Sequence, residues 1–182
     1  MKNFEQVTLI SEGAEYLKPG MQTELSKRIL DSADELRGSF EEKILTILNI
    51  VAKLPVVNEN KDDVFRKRTA DQILNDNFVT GCTDSALICI AFFRAVSIPA
   101  KYVETIDSDW IQHGGEQIAG HVYVSVFDGS RWRVIDPVKK IVDADIARDG
   151  RVVYGEGLDS WDIGIDSFDS LSKAFNDFRS QK

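Results

Sequence analysis

Cysteine and histidine are scarce in this chain, with two of each among 182 residues. Cys82 and Cys89 stand seven positions apart, and on one helix that spacing is a rise of about 10 Å, too long for a disulfide. The pair also lacks the Cys-x-x-Cys spacing of a dithiol redox motif. Neither residue type falls in a recognised structural zinc spacing. A disulfide framework within this helix is excluded, which fits the reducing conditions of the cytoplasm.

Long apolar runs and excess positive charge are also missing. No segment approaches the roughly 18 apolar residues of a membrane-spanning helix, and Met1–Gln6 has no apolar core of a secretory signal. The net charge of -8 and the pI of about 4.8 argue against nucleic acid or an anionic membrane as the main partner. We therefore expect a cytoplasmic protein with no nucleic-acid and no membrane partner.

The apolar content of 43% and the absence of low-complexity tracts predict a globular fold. The length suits a single domain, residues 1–182, with a sizeable core. Apolar residues at helical spacing predict a helix over 22–36 and another over 39–54. A short strand is indicated around 7–10.

Two capping-box patterns mark helix starts before the first cysteine. Ser39 is followed three positions later by Glu42, and Thr69 by Gln72, so a helix is predicted to begin at each. The only basic cluster, residues 66–68, precedes the second pattern. We interpret this cluster as a solvated turn, because an anion site is a weaker expectation in so acidic a protein.

Cys82 stands at the start of a long apolar segment. Residues 85–96 contain one charge and neither glycine nor proline, and apolar side chains on every side predict a helix that is buried all round. Unpaired N–H groups and the positive dipole end at such a helix start lower the pKa of a thiol. Asp84 in the same turn would raise the pKa of the thiol. On position alone, a reactive cysteine and a packing cysteine are equally good interpretations.

A hairpin follows in which a histidine and an aspartate share one face. Residues 121–127 alternate, with three valines on one side and His121 on the other. Asp128-Gly129 is a strong hairpin signal. A two-residue loop would place His121 directly opposite Asp136, and a four-residue loop would make them diagonal neighbours on the same face. In either register the carboxylate can fix the tautomer of the imidazole.

Each of these residues alone has a simpler structural explanation. His121 could be a satisfied histidine at a strand start, and Asp136 a turn acid before proline. Together with a cysteine at a helix start, they form a nucleophile, its base and the group that orients the base. His113 is a rival base, but its glycine-rich surroundings offer no rigid support.

The order of these motifs resembles the transglutaminase-like superfamily, which includes animal transglutaminases, peptide N-glycanases and many small microbial proteins labelled as cysteine proteases. The resemblance rests on Cys82 at a buried helix start, then on residues 121–126 (HVYVSV) and 132–137 (WRVIDP). Residues 68–74 resemble the short helix that often precedes the cysteine there. Residues 98–103 resemble the passage from the helix to the first strand.

The resemblance is strongest over residues 68–138 and implies an α+β, cysteine-proteinase-like fold (the transglutaminase core). N-terminal helices would precede a buried nucleophile helix that packs on an antiparallel sheet. The resemblance also implies Cys82 as nucleophile, His121 as base and Asp136 as orienting group, with no cofactor. Residues 81–84 (GCTD) differ from the aromatic- or arginine-flanked motif of the animal enzymes, so the triad carries over better than any substrate.

Further site residues are predicted from position. The polar segment 107–120 enters the histidine strand, so it would rim the site and could act as a lid, with Trp110 at the cleft or packed on the surface. Gln72 or Asn75 could supply a second oxyanion donor beside the backbone N–H of Cys82.

The remaining pattern predicts a strand over 100–106, a strand over 151–154 and a closing helix over 168–178. Five acidic residues between 152 and 172 are interpreted as a solvated face rather than as a rim for cationic substrates.

The predicted reaction is acyl transfer at a peptide or protein amide through a thioester. Hydrolysis by a protease, deamidase or amidase is the first expectation, because water is always present. The alternatives are a transglutaminase that uses an amine acceptor, and a scaffold module that keeps the fold without the chemistry.

Overall fold

The computed structural model describes residues 13–59 and 61–182. The strand predicted around 7–10 lies outside the described residues. After a short 3₁₀ turn at Glu15–Leu17, the helices are α1 (Lys27–Ala33), α2 (Phe40–Val51), α3 (Lys61–Val64), α4 (Ala70–Asp76), α5 (Cys82–Ala95), α6 (Ser108–His113) and α7 (Phe168–Ser180). The strands are β1 (Ala100–Asp107), β2 (Gly120–Phe127), β3 (Trp132–Asp136), β4 (Ile141–Val142) and β5 (Arg151–Gly157).

The strands form one antiparallel sheet in the order β4-β3-β2-β1-β5, with helices α1, α2 and α4 on the far side of α5. Helix α5 packs on β1 and β2 and contacts these three helices, so that it is buried on all sides as predicted. The valines at 122, 124 and 126 face the same core. This arrangement confirms the predicted α+β fold class.

The helices predicted to begin at Ser39 and Thr69 are present. The two helices predicted over 22–36 and 39–54 are shorter than their apolar patterns suggest. Ser39 and Thr69 both form complete capping boxes at the N-termini of α2 and α4. The helix predicted over 22–36 is reduced to α1, because the Ser26 side chain accepts a hydrogen bond from the Ile29 N–H and caps it there.

The hairpin has the four-residue loop, and the two-residue register is wrong. Val124 pairs with Ile135 and Ser125 with Val134, which makes His121 and Asp136 diagonal neighbours. Phe127 pairs with Trp132, two residues later than a two-residue loop would give, and the Asp128 N–H donates to the Arg131 carbonyl at 3.1 Å within the turn. The Asp128 carboxylate also accepts from the Arg131 N–H at 2.9 Å, which stabilises this loop.

The segment 107–120 is not a loop throughout. Asp107 accepts hydrogen bonds from the backbone of Asp109 and Trp110 and caps α6, which was not predicted. Strand β4 is also additional, and β5 extends to Gly157 rather than ending at 154. Within 13–59 and 61–182, no helix is both long and apolar enough to cross a bilayer.

Candidate active site

Cys82 is the first residue of α5 and is partly buried. The preceding residue, Gly81, has no side chain to cap the helix, so the N–H groups of the first turn receive no side-chain cap. Such unpaired N–H groups stabilise an anion. The helix therefore begins at its cysteine with an environment that suits a thiolate.

His121 and Asp136 meet across the β2–β3 hairpin. His121 Nε2 lies 2.9 Å from Asp136 Oδ2. The other carboxylate oxygen, Oδ1, accepts from the backbone N–H of Val138 and of Lys139, both at 3.0 Å. Asp136 is fully buried, so these bonds fix its orientation. Because Nε2 is engaged with the carboxylate, Nδ1 remains for Cys82.

The pKa values of Cys82 and His121 move in opposite directions. Burial raises the pKa of the Cys82 thiol, but the hydrogen bond and the charge of His121 outweigh burial, and the pKa falls below its ordinary value. Burial lowers the pKa of His121, but hydrogen bonds with Asp136 and Cys82 raise it to about 9. Since the two groups titrate as a pair, these directions favour the thiolate–imidazolium form over the form in which both groups are neutral.

The aspartate is held in its charged form. Burial raises the pKa of Asp136, while the hydrogen bond from His121 and that from the Lys139 backbone lower it to a net value below the usual range. The Lys139 ammonium also stands 3.6 Å from Asp136 Oδ2. A charged Asp136 stabilises a protonated His121.

A second layer of side chains supports the His121 ring, and the sequence analysis did not identify it. The Tyr123 ring meets His121 edge to face, with centroids 4.9 Å apart. The Tyr123 hydroxyl donates to Asp149 at 2.7 Å, and the Thr105 hydroxyl donates to the His121 carbonyl at 2.7 Å. Tyr123 was recognisable only by its alternation with His121, since Asp149 is distant along the chain.

The basic cluster 66–68 is not a solvated turn, as it was interpreted to be. Arg66 is buried and donates to both carboxylate oxygens of Glu104, at 2.7 and 3.1 Å. It also donates to Tyr102 and Ser160. Arg66 lines the same cavity as Cys82, and its charge lowers the pKa of that thiol while the charge of Glu104 raises it. Glu104, an acid in the middle of a strand predicted to lie in the sheet, was the available signal, because a buried carboxylate needs a partner.

Arg68 is buried as well, and it neutralises Asp84. The guanidinium of Arg68 lies 2.6 Å from Asp84 Oδ2, which also accepts from the Thr80 N–H at 2.8 Å. The expected opposition of Asp84 to the Cys82 thiolate is therefore offset by a positive charge. Asp84 instead ties the start of α5 to the residues before it.

A cavity of about 260 Å³ opens beside Cys82. Its walls include Arg66 and Thr83, and its apolar surface comes from Phe65, Ile118, Phe168 and Leu171. Ile118 belongs to the segment 107–120, so that segment does border the site. The last two apolar residues belong to α7, at the opposite end of the chain.

The structure does not bring the other predicted site residues to this cavity. Trp110 is only 5% exposed and packs in a second core with Ile165 and Phe175. Gln72 is exposed, and its side-chain oxygen accepts from the Thr69 N–H at 2.9 Å to complete the α4 capping box. Asn75 accepts from Arg28 at 2.9 Å on the surface.

Most of the acidic residues between 152 and 172 serve local structure rather than a binding rim. Asp159 is buried and accepts from the Gln22 N–H at 2.8 Å. Asp162 accepts from the Leu158 N–H at 2.8 Å, and Asp166 from Ser170 at 2.9 Å. These bonds fold the segment that leads into α7.

Comparisons with known proteins agree with this architecture. The sequence model of the transglutaminase-like superfamily matches residues 23–137, which is more than half of the chain. No curated protein matches the chain. A crystal structure from Cytophaga hutchinsonii, named a "Putative Cysteine Protease", is similar in fold, with a TM-score of 0.66 and 18% sequence identity. The match covers 85% of this chain and 50% of that one, so this chain spans half the length of that structure.

Proposed function

The chain belongs to the transglutaminase-like superfamily, and on this premise we propose that it transfers an acyl group from a peptide or protein amide through a thioester on Cys82. The observation that carries the proposal is the position of His121, whose Nε2 lies 2.9 Å from Asp136 Oδ2 and whose presence lowers the pKa of the Cys82 thiol. Asp136 orients the imidazole, His121 moves the proton, and Cys82 is the nucleophile.

The first half-reaction consumes the amide. The Cys82 thiolate attacks the carbonyl carbon, and the oxyanion that forms is stabilised by N–H groups in the first turn of α5. The C–N bond then breaks as His121 donates its proton to the departing amine. The products are a thioester on Cys82, a free amine and a neutral imidazole.

The second half-reaction releases the acyl group. Neutral His121 takes a proton from water as the oxygen attacks the thioester, and the C–S bond breaks to regenerate the thiolate and the imidazolium. An amine in place of water would give a transglutaminase product. We propose hydrolysis, because water is always available.

A peptide-library incubation with mass detection tests the reaction. Hydrolysis of main-chain amides gives fragments, deamidation gives glutamate or aspartate, and transamidation with an added primary amine gives an adduct. We expect fragments or deamidated peptides from the protein and none from Cys82→Ala. Equal product formation by the protein and by Cys82→Ala would overturn the assignment of the nucleophile.

A further inference from the structure

The cavity at Cys82 lies next to a larger one. A recess of about 610 Å³ is lined by Met21, Lys67, Trp161, Gly164, Asp166 and Ser167. Arg66 and Phe168 line the cavity at Cys82, while their chain neighbours Lys67 and Ser167 line the recess. The two spaces therefore lie next to each other at two separate stretches of chain.

The recess adjoins a third depression. Met21 lines both the recess and a third depression of about 380 Å³, together with Pro19, Gly20 and Glu24. Met21 is 68% exposed, so its apolar side chain is accessible to a ligand in the recess. The three depressions thus lead from Cys82 to the surface near the described start of the chain.

An aromatic surface in the recess is held rigidly. The Trp161 indole N–H donates to the Arg66 carbonyl at 2.7 Å. The Gln22 side chain donates to the same carbonyl at 3.0 Å, so residue 66 is fixed from two sides. A tryptophan whose polar end is already satisfied presents its ring as a preorganised apolar contact.

The walls of the recess come largely from outside the part of the chain that matches the family. The family match ends at residue 137, whereas Trp161, Gly164, Phe168 and Leu171 all follow it. Arg66 links these residues to the sheet, because it bonds Ser160 and Glu104 together. The C-terminal segment is thus placed to select a substrate for chemistry that the shared core performs.

We propose that the cavity at Cys82 and the adjoining recess form one groove for an extended polypeptide, with Phe168, Trp161 and Met21 as specificity-determining residues. The inference rests on the proposed function and names its substrate class. The first cavity takes a bulky apolar side chain next to the reacting carbonyl, and the recess takes the residues beyond it. An extended chain advances about 3.3–3.6 Å per residue, so consecutive residues can fill both spaces. A small amide would leave the recess empty.

Electrophilic peptides test this without knowledge of the natural substrate. One series carries a C-terminal chloromethyl ketone after leucine, and the other carries an N-terminal iodoacetyl group before leucine, each with one to four residues. The Cys82 thiolate displaces the halide in both, and mass spectrometry gives the second-order rate at Cys82. We expect the four-residue reagent of one series to react at least about tenfold faster than its one-residue reagent.

Variants of residues that line the proposed groove test which of them produce the gain in rate with peptide length. Met21→Asp should remove most of the gain with length, while its iodoacetamide rate stays at the wild-type value. Leu45→Asp, which changes an equally apolar exposed residue on α2, should retain the gain. Phe168→Ala should reduce the preference for leucine over alanine next to the electrophile, because this residue lines the first cavity.

The outcomes separate this inference from the proposed function. Absence of a length effect in both series, or an equal effect in Met21→Asp, overturns the groove while leaving a reactive Cys82 intact. A Cys82 that reacts with iodoacetamide no faster than Cys89 overturns the proposed function itself.

Discussion

The two cysteines of helix α5 have opposite chemical environments. Cys89 lies in the helix interior with no exposed surface, and burial raises the pKa of its thiol far above the ordinary range. Cys82 lies at the first residue, where the hydrogen bond and charge of His121 overcome burial and lower the pKa. The same side chain, seven positions apart on one helix, has a raised pKa in one place and a lowered pKa in the other.

The comparison shows that burial alone does not decide the reactivity of a thiol. Both sites penalise a thiolate by removing water, but only the helix start supplies compensating groups. Asp136 acts on the thiol through His121. Its hydrogen bond raises the pKa of His121 and so favours the imidazolium, whose charge lowers the pKa of Cys82. The four predictions that follow test this contrast.

Substitution of His121 should abolish the difference in reactivity between the Cys82 and Cys89 thiols. Without the imidazole, the Cys82 thiol keeps its burial penalty and loses its base, so we expect any amidase activity of His121→Gln to fall on the order of 10²–10⁴-fold. The iodoacetamide rate at Cys82 near neutral pH should also fall toward that of Cys89. His113→Gln, which changes an exposed histidine, is the control and should match the unaltered protein. A fully reactive Cys82 in His121→Gln would contradict this account.

Loss of one partner of the buried ion pair should destabilise the fold around Cys82. Glu104→Gln leaves Arg66 charged and without its carboxylate, for which we expect a loss of about 3–5 kcal/mol in the free energy of unfolding. Urea denaturation measures the change. Asp31→Asn breaks an exposed pair with Lys27 and should cost no more than about 1 kcal/mol. Similar losses in both variants would show that the Arg66–Glu104 pair contributes no more than a surface pair.

The pH profiles of alkylation and of amide turnover should differ at high pH. Because the pKa of Cys82 is lowered, its iodoacetamide rate should remain high below the pH at which an ordinary thiol, with a pKa of about 8.5, loses tenfold per unit. Amide turnover also requires protonated His121, whose pKa is raised to about 9, so kcat/KM should decline above that pH while alkylation does not. Parallel profiles would mean that His121 is not the proton donor.

Substitution of Cys89 should affect stability without affecting reactivity. Cys89→Ser places a hydroxyl in an apolar core, and we expect a loss of about 1–3 kcal/mol in the free energy of unfolding. The iodoacetamide rate at Cys82 should be unchanged. Cys82→Ser should cost less stability, because it lies at a partly buried helix end, yet it should abolish labelling at that position. A changed iodoacetamide rate at Cys82 in Cys89→Ser would show that the two sites are coupled. That result would contradict the independent environments inferred for the two thiols.

The parts of the site that follow local periodicity could be predicted. Alternation with a period of two places His121 and Asp136 on one face for either even-length loop, so the wrong register did not separate them. The start of α5 could be placed from Thr80, Gly81 and the apolar run that follows. In the folded hairpin, His121 Nε2 and Asp136 Oδ2 lie 2.9 Å apart, within hydrogen-bond distance.

The parts that depend on distant neighbours could not be predicted. Trp110 was expected either at the cleft or packed on the surface, but α6 directs it into a second core with Phe175. Gln72 carried an oxyanion prediction and a capping prediction at once, and the structure shows its side chain in the cap. Arg66 looked solvated because its partner Glu104 is 38 positions away.

The sequence by itself determined the helix that carries Cys82, the caps before it and the shared face of His121 and Asp136. Each depends on interactions within a few residues, or on the strict period of a strand. Only the tertiary structure decided which thiol is activated by a charge, which basic residues are buried and which segment forms the wall beside the nucleophile. Charge and burial are properties of an environment, and here that environment is assembled from β1, the hairpin and α7, which meet only when the chain is folded.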